Sequence, residues 1–137
     1  MKVLAFGSRT FIHHLIVNER LDQVHKNIGI TELIEGEANG ADIQAAAWAV
    51  SKGIKVTRCP ANWDKEGKSA GMKRNMDMAM MKPDMAVGFF DGASRGSINM
   101  AIICMGKGIP LYAITMDNRL LRLPKNILEL EKFLKQG

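Results

Sequence analysis

The stretch Asp84-Met-Ala-Val-Gly-Phe-Phe-Asp-Gly-Ala-Ser-Arg-Gly-Ser97 decides the predicted fold. Its apolar part, Met85 to Phe90, carries no charge and is typical of a strand buried on both faces of a parallel sheet. A polar loop bounded by Gly92 and Gly96 follows, and then an apolar segment of helical length, Ile98 to Met105. This unit is common at anion sites of α/β proteins, because the first amides of a helix lack intrahelical partners. The alternative is an ordinary turn that needs glycine for its dihedrals.

Outward from this unit, short apolar segments alternate with helical ones along the chain. The predicted strands are Lys2–Phe6, Thr31–Glu35, Ile54–Cys59, Met85–Phe90 and Pro110–Ile114. The predicted helices are Leu15–His25, Ile43–Lys52, Ala70–Lys82, Ile98–Met105 and Ile127–Lys135. Ala61–Ser69 is predicted as a loop, and Leu120–Leu123 stays open as a short edge strand. The alternation predicts an α/β, Rossmann-like fold with a mostly parallel sheet of about five strands and helices on both faces, in an order left open.

Composition narrows the class of protein. We expect the 137 residues to form a single domain, and 47% apolar with 24% charged residues is typical of a soluble globular protein. No apolar run approaches the roughly 20 residues of a membrane helix, and no signal pattern opens the chain. Cys59 and Cys104 stand alone, which favours a reducing cytoplasm. The formal charge of +5 favours a phosphate-bearing partner.

Three loops that follow predicted strands combine glycine with small polar or charged residues. The first is Gly7 to Arg9, the second is Gly36 to Asp42, and the third is Gly92 to Ser97. The ends of parallel strands meet at one edge of a sheet, where ligands bind. Amides of these loops would hold phosphates, with countercharge from Arg9 and Arg74. The chain has no GxGxxG motif, which disfavours an ordinary dinucleotide site. The predicted ligand-binding residues are Gly7, Ser8, Arg9, Gly36, Ala38, Gly40, Ala41, Asp42, Arg74, Asn75, Gly92, Ser94, Gly96 and Ser97.

Several of these residues have an equally simple structural interpretation. Arg9 either clamps a phosphate bidentately or is a solvated surface arginine. Asp42 either complements the dipole of its helix or accepts hydrogen bonds from ligand hydroxyls. Arg74 lies either on an exposed face or at the loop edge. Trp63 either stacks on a base or covers the apolar surface of the domain, and the second is favoured.

Histidine and methionine patterns point away from a bound metal or cofactor. The three histidines lack a ligand spacing, so neither metal nor cofactor is predicted. Met72, Met76 and Met80 repeat every four residues, which favours packing in the core or at a subunit interface. An apolar helix face on so small a fold favours a homodimer or a higher homo-oligomer.

Five motifs together resemble the SLOG superfamily, and within it the YspA-like, cpYpsA-related branch. They are VLAFGSR (Val3 to Arg9), EGEANGAD (Glu35 to Asp42), PANWDKEGKSAGMKRNMDM (Pro60 to Met78), KPDMAVGFFDGASRGS (Lys82 to Ser97) and GKGIP (Gly106 to Pro110). The resemblance covers about residues 1–114. It leaves residues 115–137 as a C-terminal extension that ends in a helix.

The resemblance implies a nucleotide or nucleotide-derived ligand, such as ADP-ribose, NAD or AMP, at the glycine-loop edge. This branch is often carried by phages and mobile elements, which implies a sensor or processing protein in the host cytoplasm. Distant relatives imply two alternatives. LOG-type phosphoribohydrolases, which are dimers, cleave an N-glycosidic bond, and Smf/DprA proteins bind single-stranded DNA. The chain lacks the basic, aromatic-interleaved run typical of nucleic-acid binding, so we rank that alternative last.

One departure from the LOG pattern leaves catalysis open. LOG enzymes carry Pro-Gly-Gly-x-Gly-Thr-x-x-Glu, and their glutamate acts with a helix arginine at the ribose. Here the arginine has a counterpart in Arg74, but the glutamate position falls on Met100, whose thioether transfers no proton. Catalysis would then use Arg74 with Asp42 as a surrogate carboxylate, or with Glu37 or Asp91. Ligand binding without catalysis is ranked first, and hydrolysis second.

Overall fold

A computed structural model describes residues 1–136, and the last residue of the predicted extension, Gly137, lies outside them. Six strands form one sheet in the order β3-β2-β1-β4-β5-β6. Neighbours are parallel except β6, which runs antiparallel to β5. The mostly parallel sheet is confirmed, and the segment left open adds a sixth strand. The strands are β1 Lys2–Gly7, β2 Glu32–Glu35, β3 Lys55–Arg58, β4 Met85–Phe90, β5 Leu111–Thr115 and β6 Leu120–Arg122.

Five of the six α-helices within residues 1–136 match predicted helical segments; α6 has the predicted bounds, and the ends of the other four differ by a few residues. The exception is α3, which lies in the segment predicted as a loop. Its N-terminus is fixed by Asn62, whose side chain accepts a hydrogen bond from the Lys65 amide (3.1 Å). So short and polar a helix has no apolar periodicity to reveal it. The helices are α1 His14–Ile28, α2 Ala41–Ser51, α3 Trp63–Glu66, α4 Ala70–Met80, α5 Arg95–Gly106 and α6 Ile127–Lys135.

The helices cover both faces of the sheet, as predicted. Side chains of a strand alternate between faces, so each central strand contributes to two apolar clusters. Val3 and Phe89 pack with residues of α1 and α2, including Val17 and Trp48. On the other face, a cluster that includes Leu4 and Phe90 packs against α4, α5 and α6. All six residues of β4 are buried, which confirms the prediction made from its uncharged sequence.

The methionines of α4 divide between the core and the surface. Met78 is buried, whereas Met72, Met76 and Met80 are exposed by 60%, 41% and 63%. The core alternative is therefore wrong for these three residues. Their four-residue spacing follows one stripe of the helix, and α4 buries the neighbouring stripe that contains Asn75 and Ala79 instead. A role at a subunit interface stays a prediction.

The strand order reverses between β1 and β4. Strands β2 and β3 extend the sheet from β1 on one side, and β5 and β6 extend it from β4 on the other. In open α/β sheets, the crevice beyond the carboxyl ends of the strands at this switch point is the usual place for a ligand. Within residues 1–136, no helix is long and apolar enough to cross a membrane.

Candidate functional site

Three serine hydroxyls form a row of contacts from the end of β1 to the start of α5, at the switch point of the sheet. The Ser8 hydroxyl accepts a hydrogen bond from the Asp91 amide (2.9 Å) and lies 3.3 Å from the Ser94 hydroxyl. The Ser94 hydroxyl donates to that of Ser97 (2.8 Å). Ser8 and Ser97 are buried, and Ser94 is partly exposed. We call Ser8, Ser94 and Ser97 the hydroxyl cluster.

Helix α5 begins beside this cluster without a side-chain cap. Ser94 is its N-cap residue and has an extended backbone, but its hydroxyl makes no capping hydrogen bond. The amides at a helix start lack intrahelical acceptors and carry the partial positive charge of the helix dipole. A Cβ atom built on Gly92 or Gly96 would meet no atom within 4 Å, so the backbone is open there. Uncapped helix starts of this kind bind anions in other proteins, so this end of the sheet is a candidate anion site.

Glycine lets the loop between β2 and α2, residues 36–40, approach the end of β1. A Cβ atom on Gly7 would clash with the Phe89 carbonyl oxygen and lie 2.6 Å from the Ala41 Cβ. Gly40 has a φ of 79°, and a Cβ atom there would lie 2.6 Å from the Ser8 carbonyl oxygen. Both positions exclude a side chain, so Gly7, Gly40 and Ala41 bring two of the three predicted loops together.

The amides of this second loop point at carboxylates of the chain itself. The Asp42 Oδ2 atom accepts hydrogen bonds from the amides of Gly36 (3.1 Å) and Ala38 (3.4 Å). The Glu35 Oε2 atom accepts one from the Glu37 amide (2.7 Å). These three amides are already engaged, so they are not available to a ligand phosphate in this arrangement.

Burial raises the pKa values of both carboxyl groups, those of Asp42 and Glu35. Only 3% of Asp42 and 1% of Glu35 are exposed. Burial raises the pKa of Asp42 to about 7, although the nearby Arg74 guanidinium opposes the shift, and burial also raises the pKa of Glu35. Asp42 Oδ1 and Glu35 Oε1 accept no hydrogen bond from the described residues. Arg58 Nε lies 3.7 Å from Glu35 Oε1, within ion-pair range but too far for a hydrogen bond.

Two residues of α4 link the second loop to the start of α5. The Arg74 Nη1 atom donates to the Gly36 carbonyl oxygen (2.6 Å), and its Nε atom donates to the Asn75 side chain (3.1 Å). The Asn75 Nδ2 atom donates to the Gly96 carbonyl oxygen (3.2 Å) and to Asn99 (3.0 Å). Arg74 therefore points to the loop edge, the functional alternative of the two predicted for it.

A groove of about 460 Å³ lies beside the second loop, and Arg9, Gly36, Ala38, Pro60, Trp63 and Arg74 contribute to its lining. Trp63 is half-exposed, and the Arg9 guanidinium carbon lies 5.9 Å from the centroid of its ring. About half of Trp63 is therefore open to solvent beside the groove, whereas the favoured interpretation of the sequence had it cover the apolar surface of the domain. Another depression, of about 480 Å³, lies along the outer side of α1 and involves none of the glycine loops.

Most of the predicted ligand-binding residues fall into two adjacent groups joined by Asn75. Gly7, Gly40, Ala41 and Asp42 belong to neither group. Gly92, Gly96 and the hydroxyl cluster lie at the start of α5, whereas Arg9, Gly36, Ala38 and Arg74 line the groove. Two alternative carboxylates differ in setting: Asp91 accepts from the Thr10 hydroxyl (2.6 Å), and Glu37 lies 3.9 Å from Arg58. No group of three or more metal-binding side chains occurs within residues 1–136.

Sequence reasoning missed Glu35. It stands as the last residue of a strand, where an acidic side chain is ordinarily solvated, and its burial depends on the packing of several elements. The one available signal was its place next to Gly36 at the edge where the loops converge.

Fold and switch point define the molecule as a Rossmann-like α/β protein with a candidate anion site at the β1–β4 crevice. The sequence model of the YspA, cpYpsA-related SLOG family matches residues 1–65. The Gene 61 protein of Mycobacterium phage D29 is 32% identical over 116 residues, which cover 80% of this chain and 93% of that protein. The chain belongs to the YspA, cpYpsA-related SLOG family.

A solved structure with a similar fold is UDP-GlcNAc 2-epimerase from Neisseria meningitidis, crystallised with UDP-GlcNAc. The TM-score is 0.51 at 17% sequence identity, and the match covers 83% of this chain. It covers 32% of the epimerase chain, so this protein spans about a third of that length. At this level of identity the likeness concerns the fold alone.

Proposed function

We propose that this protein binds a nucleotide or nucleotide-derived ligand, such as AMP, ADP-ribose or NAD, with a phosphate at the start of α5. The observation that carries the proposal is the convergence of the hydroxyl cluster on the uncapped first turn of α5. Hydroxyls and helix-start amides donate hydrogen bonds to phosphate oxygens, and the dipole favours their charge. The backbone at Gly92 and Gly96 has open space for such a group.

Charged side chains at the groove complement this site. Arg9 and Arg74 supply positive charge on the side of the groove next to β1 and the second loop. Asp42 would accept hydrogen bonds from ligand hydroxyls through Oδ1, because Oδ2 already accepts two loop amides; since Oδ1 is buried, the loop of residues 36–40 would have to open. Membership of the family and the phage relative support a sensor or processing role for a phage or mobile element in the host cytoplasm.

Isothermal titration with matched ligands tests the proposal. AMP, ADP-ribose and NAD carry phosphate, adenosine lacks it, and ribose 5-phosphate lacks the base. We expect saturable binding of at least one phosphorylated compound below millimolar concentration, and binding of adenosine at least tenfold weaker than that of AMP. Absence of binding by all phosphorylated compounds at millimolar concentration would contradict the proposal.

A second candidate function is hydrolysis of an N-glycosidic bond. It is favoured by the position of Arg74 next to Gly36 and by the two buried carboxyl groups with spare oxygens. A carboxyl group with a pKa of about 7, as at Asp42, can transfer a proton near neutral pH. In this mechanism Arg74 would stabilise charge at the ribose and Asp42 would act as acid or base.

Release of free base from AMP, or of nicotinamide from NAD, distinguishes hydrolysis from binding alone. Chromatography should detect product with the unaltered protein and none with Asp42→Asn. Asp77→Asn is the control, because Asp77 is exposed on α4 and forms an ion pair with Lys73 (3.8 Å). Product formed equally by all three proteins, or by none of them, would eliminate this candidate.

A further inference from the structure

We propose that Trp63 is the platform on which the base of the ligand stacks, so that the groove is a nucleobase subsite next to the phosphate site. This inference rests on the proposed nucleotide binding and adds the part of the ligand that the groove recognises. It also identifies a residue that determines specificity, because a ligand without a planar base makes no use of this surface.

The Trp63 ring packs against α4 and is also accessible to solvent. Trp63 opens the short helix α3, which Asn62 caps. The ring rests against Gly71 of α4, where a Cβ atom would lie 3.3 Å from the Trp63 Cη2 atom. Yet 49% of the residue is exposed. The backbone of α4 therefore holds one part of the ring in place, while another part faces the groove.

Trp48, the other tryptophan of the chain, has the burial and contacts of a core residue and differs from Trp63 in both. Only 4% of it is exposed, and it belongs to the core cluster against α1. Its indole N–H donates to Asp22 (2.8 Å). Burial of a large ring and a partner for its N–H are the usual features of a core tryptophan. The exposure of Trp63 beside a polar groove differs from this pattern.

Arg9 connects the ring to the phosphate site. Its guanidinium carbon lies 5.9 Å from the Trp63 ring centroid, at the limit of a cation–π contact. The ring face therefore accepts a flat group, and a purine base is such a group. A stacked base would take the place of the guanidinium, and Arg9, which follows Ser8 of the hydroxyl cluster, could then turn towards the phosphate.

The groove has the size and polarity for a base. Its volume of about 460 Å³ lies within the ~300–1,000 Å³ range of small-molecule sites. Arg9 and Arg74 line it together with the backbone of Gly36 and Ala38. Stacking of one base on an aromatic ring strengthens binding by roughly tenfold to a hundredfold. An effect of that size separates a nucleotide from its sugar phosphate in a titration.

The experiment compares AMP with ribose 5-phosphate in the unaltered protein, Trp63→Leu and Trp63→Phe. AMP should bind at least tenfold more tightly than ribose 5-phosphate to the unaltered protein. Trp63→Leu should reduce AMP affinity to that of ribose 5-phosphate, leaving ribose 5-phosphate within about twofold. Trp63→Phe should retain most of the preference, because it keeps an aromatic ring. Trp48 is the one other tryptophan, and its fluorescence reports whether each variant is folded.

The outcomes separate this inference from the proposed function. Equal affinities for AMP and ribose 5-phosphate, or equal losses of both in Trp63→Leu, would overturn the base subsite while leaving phosphate binding intact. Absence of binding by both compounds would overturn the proposed function and this inference with it. If a single-stranded oligonucleotide bound Trp63-dependently and much more tightly than AMP, with steep salt dependence, the subsite would belong to nucleic acid and the mononucleotide assignment would be wrong.

Discussion

Two glycine loops at the same edge of the sheet satisfy their amides in opposite ways. In the loop after β2, the amides of Gly36 and Ala38 donate to Asp42, and the Glu37 amide donates to Glu35. In the loop after β4, the first turn of α5 has no side-chain cap, and space is open around Gly92 and Gly96. The loop after β2 therefore satisfies its amides with carboxyl groups of the chain itself, whereas the amides at the start of α5 have no side-chain cap.

This difference shows that glycine content alone does not identify a phosphate loop. The two loops have similar compositions, and both follow parallel strands. What distinguishes them is an acidic residue placed to fold back onto the amides. The carboxyl group of Asp42, in the first turn of α2, accepts hydrogen bonds from two amides of the loop that precedes this helix. The phosphate site proposed here therefore depends on α5, and the loop after β2 contributes the wall of the groove.

The largest expected effect is on the pH dependence of stability, and it concerns Asp42, the carboxyl group that accepts hydrogen bonds from two amides of the loop after β2. Asp42 has a pKa of about 7 in the folded protein, against an ordinary value of 3.8. Between these pH values the folded state binds more protons than the unfolded chain, so the free energy of unfolding falls as pH rises from about 4 to about 7. A gap of about three pKa units corresponds to roughly 4 kcal/mol. Asp42→Asn should remove this dependence.

Urea unfolding of the unaltered protein and Asp42→Asn across that pH range measures the effect. The stability of the unaltered protein relative to the variant should decline by several kcal/mol between pH 4 and pH 7. Glu35 shifts in the same direction and its charge contributes to the raised pKa of Asp42, so the comparison measures Asp42 together with its coupling to Glu35. Asp77→Asn should keep the full dependence. A constant difference between the unaltered protein and Asp42→Asn would show that the carboxylate is not destabilised by burial.

The second prediction exchanges glycine for alanine in each loop. In Gly36→Ala the new Cβ atom collides with the Arg74 guanidinium, which must leave the Gly36 carbonyl oxygen. Loss of a hydrogen bond from a charged donor costs about 1.5–3 kcal/mol. In Gly96→Ala the Cβ atom meets open space inside a helix, so stability should stay constant or rise by up to about 1 kcal/mol.

Thermal unfolding and AMP titration of both variants complete this comparison. Gly96→Ala should bind AMP several-fold more weakly despite its unchanged stability, because its methyl group occupies space at the proposed phosphate site. Gly106→Ala, at the far end of α5, is the control and should bind AMP normally. If Gly96→Ala kept full affinity while Gly36→Ala lost stability and AMP binding together, the assignment of the two loops would be reversed.

The smallest expected effect is that of a single hydroxyl. Ser97→Ala removes one hydroxyl of the cluster, and one hydrogen bond is worth about 1 kcal/mol, or roughly a fivefold change in affinity. Ribose 5-phosphate should therefore bind about fivefold more weakly by titration calorimetry. Ser51→Ala is the matched control, because that hydroxyl donates to the Trp48 carbonyl oxygen near the end of α2. Equal affinities in Ser97→Ala and Ser51→Ala would remove the hydroxyl cluster from the site.

Sequence patterns predicted the fold more fully than the site. The uncharged run of β4 and the helical spacing of α6 predicted both elements at their observed bounds, because each pattern reflects local burial. The strand order and the helix α3 were not predictable, since one depends on long-range pairing and the other on a cap in a polar segment. At the site, the amide contacts of Asp42 and the burial of Glu35 depend on backbone directions that no spacing reveals.

A crystal structure of the protein soaked with ribose 5-phosphate tests directly whether the phosphate binds at the start of α5. We expect the phosphate to lie against the first turn of α5, within hydrogen-bonding distance of the Gly96 or Ser97 amide and of at least one hydroxyl of the cluster. A phosphate bound instead to the amides of Gly36 and Ala38, with Asp42 displaced from them, would contradict this expectation.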